Sequence, residues 1–241
     1  MKYVYEKKHL VYYYLTNSNG VLSLDGLFNL HQEMLTEYFS TFGMDNFIVK
    51  EKYNSAWVFT KIHADINKYP MWKEEIHLHS EITNIKLAKV YIKTTLSDKD
   101  NNICAVLYCE ACIIDLINRR IVKLSDCNFP MMDVTGEMPT FDSVKESDNL
   151  TILNRTIKYT DIDFTKHTNN VSYIRFILDI LSMDFMDNNM ITSLDVNYKA
   201  ETRINDNITI EYFKIDNEYD FKIIDKDKIS TLMVLKYRNR E

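Results

Sequence analysis

Hydrophobic and polar positions change period several times along the chain. Residues 3 to 15 mix tyrosine and valine with charges and predict a strand, and the NSNG run at 17 to 20 predicts a turn. In SLDGLFNLHQEMLTEYFSTF the residues Leu24, Leu27, Phe28, His31, Met34, Leu35, Tyr38 and Phe39 recur at steps of three and four, one face of a helix with Ser23 as its N-cap. Four extended stretches follow: AWVFTKIHADI (56 to 66), EEIHLHSEI (74 to 82), KVYIKTTLSD (89 to 98) and ICAVLYCEACIIDL (103 to 116). The period-two register is clearest in the third, where Val90, Ile92, Thr94 and Leu96 alternate with Tyr91, Lys93, Thr95 and Ser97.

Residues 125 to 150 lose this periodicity and carry Pro130, Gly136 and Pro139, the profile of a connector. The order of elements then repeats. A strand (151 to 160), a loop, an amphipathic helix (168 to 186) and strands at 191 to 201, 207 to 215, 218 to 225 and 229 to 238 are predicted. The expected organisation is an α+β unit over 1 to 124, a connector over 125 to 150 and a second unit over 151 to 241. Each copy leaves apolar sheet surface to cover, so the two are expected to join into one continuous structure.

Composition narrows the function. The chain of 241 residues is 46% hydrophobic and 27% charged with a net charge of -6, which argues against nucleic acid as a partner. No uncharged apolar run approaches the roughly 18 residues of a membrane span, and the first fifteen residues lack a signal core, so a cytoplasmic protein without membrane insertion is expected. Cys104, Cys109, Cys112 and Cys127 read as buried reduced thiols, because the Cys109 and Cys112 pair on one strand points to opposite faces. The four glycines form no phosphate-binding loop. His63, His77 and His79 sit on predicted strands without metal-ligand spacing, and neither a metal nor a cofactor is expected. His31 reads as a hydrogen-bonded core histidine, with the lining of a cavity as its other reading.

The chemistry gathers at TDIDFTKHTNNVSYIRF, residues 160 to 176. Thr168, Asn169 and Asn170 are placed to cap a helix, whose N-terminus offers donors and partial positive charge to a developing oxyanion. Asp161, Asp163 and His167 lie just upstream, and an imidazole between a carboxylate and a helix start suits proton movement. No Ser or Cys sits beside His167 in a nucleophile elbow, so acyl transfer by carboxylate-assisted attack of water is favoured, with a second carboxylate supplied from another strand.

DIDFTKHTNNVSYIRFIL resembles the DxDxNxHVNNxxYxxW segment of the acyl-ACP thioesterases of plant plastids and bacteria. The resemblance continues in LSLDGLFNLHQE, in AWVFTKIHADINKYPMWKEEIHLHS and in DLINRRIVKL. It implies a tandem, or double, hotdog and hydrolysis of acyl-acyl carrier protein thioesters in fatty acid biosynthesis, with acyl carrier protein as partner and a homodimer left open. It assigns Asp163 and His167 to the catalytic set, Glu201 in LDVNYKAETR to the catalytic carboxylate, and Thr202 to a position where plant enzymes carry cysteine. It places the acyl tunnel in the N-terminal hotdog, where Trp57 matches a family tryptophan. Thr165 falls where the family has the asparagine that polarises the carbonyl. One hydroxyl replaces two amide donors there, so either Thr165 substitutes directly, or Asn169, Asn170 and the helix N–H groups take over, or catalysis is feeble. The second is favoured. Hydrolysis of acyl-CoA on the same fold and a non-catalytic acyl-binding protein are the alternatives.

Overall fold

The computed structural model describes residues 3–131 and 133–240 and divides between Thr140 and Phe141 into two compact units. In the first, β1 (Val4–Leu10) leads through a 3-10 turn (Tyr13–Leu15) into α1 (Leu24–Thr41). Ser23 Oγ accepts from Gly26 N at 3.0 Å and starts α1 as the sequence predicts. A second helix, α2 (Asn46–Tyr53), has no counterpart in the sequence reading. Asp45 Oδ1 caps it by accepting from Phe47 N and Ile48 N, and Asn54 ends it in the left-handed region.

Strands β2 (Ser55–Ile66), β3 (Glu75–Lys86), β4 (Lys89–Asp98) and β5 (Ile103–Asp115) pair antiparallel in the order β1-β3-β4-β5-β2, with the short β6 (Ile121–Val122) on β5. Val90, Ile92, Thr94 and Leu96 are all buried, which realises the predicted register of β4. Trp57 stacks on Phe39 of α1 at 4.2 Å, meets Phe129 edge-on at 5.6 Å and donates its indole N–H to Met44 O. All four cysteines are free and buried, and burial pushes the Cys112 thiol up to about 11. They are packing residues.

The second unit repeats the plan with β7 (Thr151–Thr156), a 3-10 turn (Tyr159–Asp161), α3 (Asn170–Leu178) and the strands β8 (Asn189–Tyr198), β9 (Asn207–Ile215), β10 (Glu218–Asp225) and β11 (Lys228–Asn239). The strand order is β8-β11-β10-β9-β7, all antiparallel. The helix predicted over 168 to 186 is broken in two. Ile180 N and Leu181 N bond three residues back, and Ser182 Oγ accepts from Phe185 N at 3.0 Å to start a separate α4 (Met183–Asn188). The serine competes for backbone donors and ends the periodic run.

Candidate active site

Local hydrogen bonds decide where each side chain of the 160 to 170 segment points. Asp161 is buried, and its carboxylate accepts from Lys158 N at 2.8 Å and meets Arg155 Nη2 at 3.5 Å. Its carbonyl accepts from Asn169 N and Ser172 Oγ. The carbonyl of Asp161 thus holds the loop against α3, while its carboxylate is engaged by Lys158 N and Arg155. Asp163 opens a tight turn in which Lys166 N reaches Asp163 O, with Lys166 in the left-handed region at φ 66°.

The carboxylate of Asp163 does not meet His167 directly. Its Oδ1 accepts from Thr165 N at 2.8 Å and from Thr165 Oγ1 at 2.5 Å, and the same hydroxyl stands 3.2 Å from His167 Nδ1. A short hydroxyl-to-carboxylate bond commits the only proton of Thr165 to Asp163. The hydroxyl oxygen is then left to accept from His167 Nδ1–H. Thr165 is therefore a bridge, and its hydroxyl proton is already engaged.

Two side chains from beyond β8 converge on Nε2: Glu201 Oε2 at 3.3 Å and Arg203 Nη2 at 3.4 Å. Between them Thr202, with no solvent exposure, locks their segment onto the loop. Thr168 N donates to Thr202 O at 2.9 Å, the two threonine hydroxyls meet at 2.7 Å, and Thr202 Oγ1 is 2.8 Å from the Tyr173 hydroxyl. Ser230 Oγ closes the network on Tyr173 at 3.3 Å. The structure thus brings together Asp163, Thr165, His167 and Glu201 and sets Arg203, Thr202 and Tyr173 beside them. The AETR run carries Thr202 and Arg203 beside Glu201, but nothing in it tells which side chain turns outward.

At the start of α3, Asn169 Oδ1 caps Val171 N at 2.8 Å and Asn169 O accepts from Ser172 N at 2.9 Å. These two helix donors are spent on capping. The N–H of Asn170 and the side-chain amides of Asn169 and Asn170 are the further donors at that end, and Tyr198 holds Asn170 through its carbonyl at 3.1 Å. Trp57 and His31 both lie in the interior of the first unit. His31 departs from the sequence reading, because neither ring nitrogen has a hydrogen-bond partner among the described residues. Burial pushes its pKa down to about 3. His63, His77 and His79 face Asp65, Glu75 and Glu6 at 2.8 to 3.1 Å. Among the described residues no cluster of three metal-ligating side chains occurs, and no helix is long and apolar enough to cross a membrane.

A helix set against its own antiparallel sheet, twice in one chain, with a histidine and a carboxylate meeting at the second helix, defines a tandem hotdog protein. Residues 2–128 match the acyl-ACP thioesterase N-terminal domain and residues 144–237 the acyl-ACP thioesterase C-terminal domain, so the chain belongs to the acyl-ACP thioesterase family. An acyl-ACP thioesterase from Bacteroides thetaiotaomicron superposes with a TM-score of 0.85 at 18% identity, covering 98% of both chains. The 12:0-ACP thioesterase from Umbellularia californica gives 0.85 at 14% identity over 100% of this chain and 99% of its own. The chloroplastic oleoyl-acyl carrier protein thioesterase 2 of Arabidopsis thaliana is 19% identical over 223 residues, 84% of this chain. This chain spans 60% of the length of that plant relative.

Proposed function

We propose that this protein hydrolyses the thioester between an acyl chain and acyl carrier protein, releasing a free fatty acid and the carrier thiol. The observation that carries the proposal is the contact of His167 Nε2 with Glu201 Oε2 at 3.3 Å, beside a loop that keeps Asp163 and Thr165 in line behind the imidazole. In this reading Glu201 takes a proton from water as the water oxygen bonds to the carbonyl carbon. The proton passes through His167 Nε2 to the sulfur as the carbon–sulfur bond breaks. Asp163, acting through Thr165, keeps the Nδ1–H side of the ring fixed, so that Nε2 faces Glu201 during this transfer.

The tetrahedral oxyanion is assigned to Asn170 N–H and to the amides of Asn169 and Asn170, because Thr165 has no proton to spare. No thiol nucleophile is needed: Thr202 is buried in hydrogen bonds and serves to position Glu201. The acyl chain is assigned to the interior of the first unit, against α1, where Trp57 and His31 lie. Four unpaired buried thiols suit the reducing cytoplasm, where fatty acid synthesis supplies such thioesters.

The test is hydrolysis of a panel of acyl-ACP and acyl-CoA thioesters of matched chain length by wild type and Glu201→Gln. Turnover that prefers the carrier protein and depends on Glu201 is the expected result. Preference for coenzyme A replaces the carrier in this reading, and turnover indifferent to Glu201 removes the mechanism.

A further inference from the structure

The first unit contains a copy of the candidate catalytic loop from which the chemistry has been removed. Asn17 N donates to Val21 O at 2.9 Å as Asp163 N does to His167 O at 3.0 Å, and Gly20 N reaches Asn17 O as Lys166 N reaches Asp163 O, both at 3.0 Å. Asn19 N bonds Asn17 Oδ1 at 3.0 Å as Thr165 N bonds Asp163 Oδ1 at 2.8 Å. Gly20 and Lys166 share the left-handed conformation, at φ 71° and 66°, and so do Lys73 and Asn205, both at 69°. Leu22 N is tied to Pro70 O as Thr168 N is tied to Thr202 O. Asp163, His167, Glu201 and Arg203 therefore correspond to Asn17, Val21, Tyr69 and Met71. Every charge of the candidate site has been replaced by an uncharged residue.

What survives in the first unit is a groove of about 390 Å³ lined by Tyr13, Thr16, Asn17, Ser18, Gly20 and Trp72, within the size range of small-ligand sites. Its two rings meet edge-on at 6.0 Å and stay 77% and 48% exposed, and the lining adds the Ser18 hydroxyl and the Asn17 amide, whose Oδ1 already accepts from Asn19 N, while Thr16 Oγ1 donates to Tyr13 O. Lys73 Nζ lies 4.3 Å from the Trp72 ring centroid. Exposed rings beside uncharged hydrogen-bonding groups suit a linear, neutral, amide-bearing chain, whose flat amides stack on the rings and pair with Ser18 and Asn17.

We propose that this groove is a second, non-catalytic binding site for the pantetheine arm, the amide-bearing thiol chain shared by acyl carrier protein and coenzyme A. The choice of ligand rests on the function proposed above: two copies of one loop frame point to one ligand class, and only the second copy retains groups that act on it. A fatty acid is disfavoured in the groove, because no lining residue is a cation that could meet its carboxylate, and Lys73 lies over the Trp72 ring.

The chain has two tryptophans, the buried Trp57 and the exposed Trp72, so protein labelled with 5-fluorotryptophan gives one fluorine signal from each, assigned with Trp72→Phe. Titration with pantetheine is expected to shift the Trp72 signal saturably at about millimolar concentration or below, and equally so in Glu201→Gln. Tyr13→Ala is expected to weaken binding about tenfold by removing one ring while leaving thioester hydrolysis unchanged. Coenzyme A and holo-acyl carrier protein, titrated separately, identify the source of the arm: whichever saturates the Trp72 shift at the lower concentration is its carrier. A Trp72 signal that ignores pantetheine, or titrates identically in Tyr13→Ala, overturns the second site. If hydrolysis depends on Glu201 while Trp72 stays silent, only this inference fails; if Trp72 titrates but no thioester is cleaved, only the enzymatic function fails.

Discussion

His167 and Glu201 meet at 3.3 Å from the two segments that one hydrogen-bonded seam, the pairing of Thr168 with Thr202, holds together. Because the seam sets the distance, the two side chains can be changed without unravelling the fold. Glu201→Gln and His167→Ala are each expected to lower kcat by about 10² to 10⁴, the usual share of a general acid or base, with an unaltered circular dichroism spectrum. Turnover within tenfold of wild type in either variant contradicts its role.

Thr165 carries a separate prediction, because its hydroxyl links Asp163 to His167 Nδ1. Thr165→Ser keeps that hydroxyl and is expected to stay within a few-fold of wild type. Thr165→Val removes it and should cost tens-fold in kcat with little change in KM. Thr165→Asn tests the oxyanion assignment: a gain of tens-fold would show that Asn170 N–H and the neighbouring amides were not sufficient.

Thr202 bonds Thr168, Tyr173 and, through Tyr173, Ser230. Thr202→Val leaves these buried groups short of a partner and is expected to cost about 1 to 3 kcal/mol of stability. It should also slow turnover by loosening the segment that carries Glu201. Denaturant unfolding and steady-state kinetics on one preparation read both effects.

His31 is 1% exposed, has no hydrogen-bond partner among the described residues, and has a pKa pushed down to about 3 by burial. The unfolded chain therefore binds a proton near pH 6.5 that the folded chain refuses, and stability falls as pH drops below that value. Between pH 7 and pH 5 this one group is expected to cost about 2 kcal/mol. His31→Leu should raise Tm at pH 5 more than at pH 7; an equal shift at both removes the buried-imidazole explanation.

Asp220 gives the opposite slope. Burial, reinforced by the nearby Glu218, raises its pKa to about 6, although Lys145 N donates to its Oδ2 at 2.5 Å. The unfolded carboxyl ionises near its ordinary value while the folded one resists, so stability is lost as pH rises between the two and stays lost above 6. Asp220→Asn is expected to raise Tm at pH 8 and to do little at pH 4, as differential scanning calorimetry can show.

Much of this was legible in the order of residues. The two helices, their N-cap ends and most strands follow from period and capping, which are local: Ser23 caps α1 as read, and β4, β9 and β10 have the predicted bounds. The division of the helix at Ser182 and the presence of α2 were not legible in the same way, because each turns on one side chain capturing backbone donors, Ser182 in the first and Asp45 in the second. Asp161, Asp163 and His167 stood out as a titratable cluster, yet spacing could not separate the structural carboxylate from the one linked to the histidine.

The chain alone determined a twice-repeated α+β unit and a cluster of acid, amide and imidazole at the second helix, because periodicity and residue type act over a few positions. Only tertiary structure decided that Thr165 is a bridge, that Arg203 joins Glu201 at His167, and that the first unit keeps the loop without its chemistry. The reason is physical. Hydrogen bonds between segments far apart in sequence, such as Thr168 to Thr202 and Leu22 to Pro70, exist only once the backbone is folded, and they set which side chains face each other.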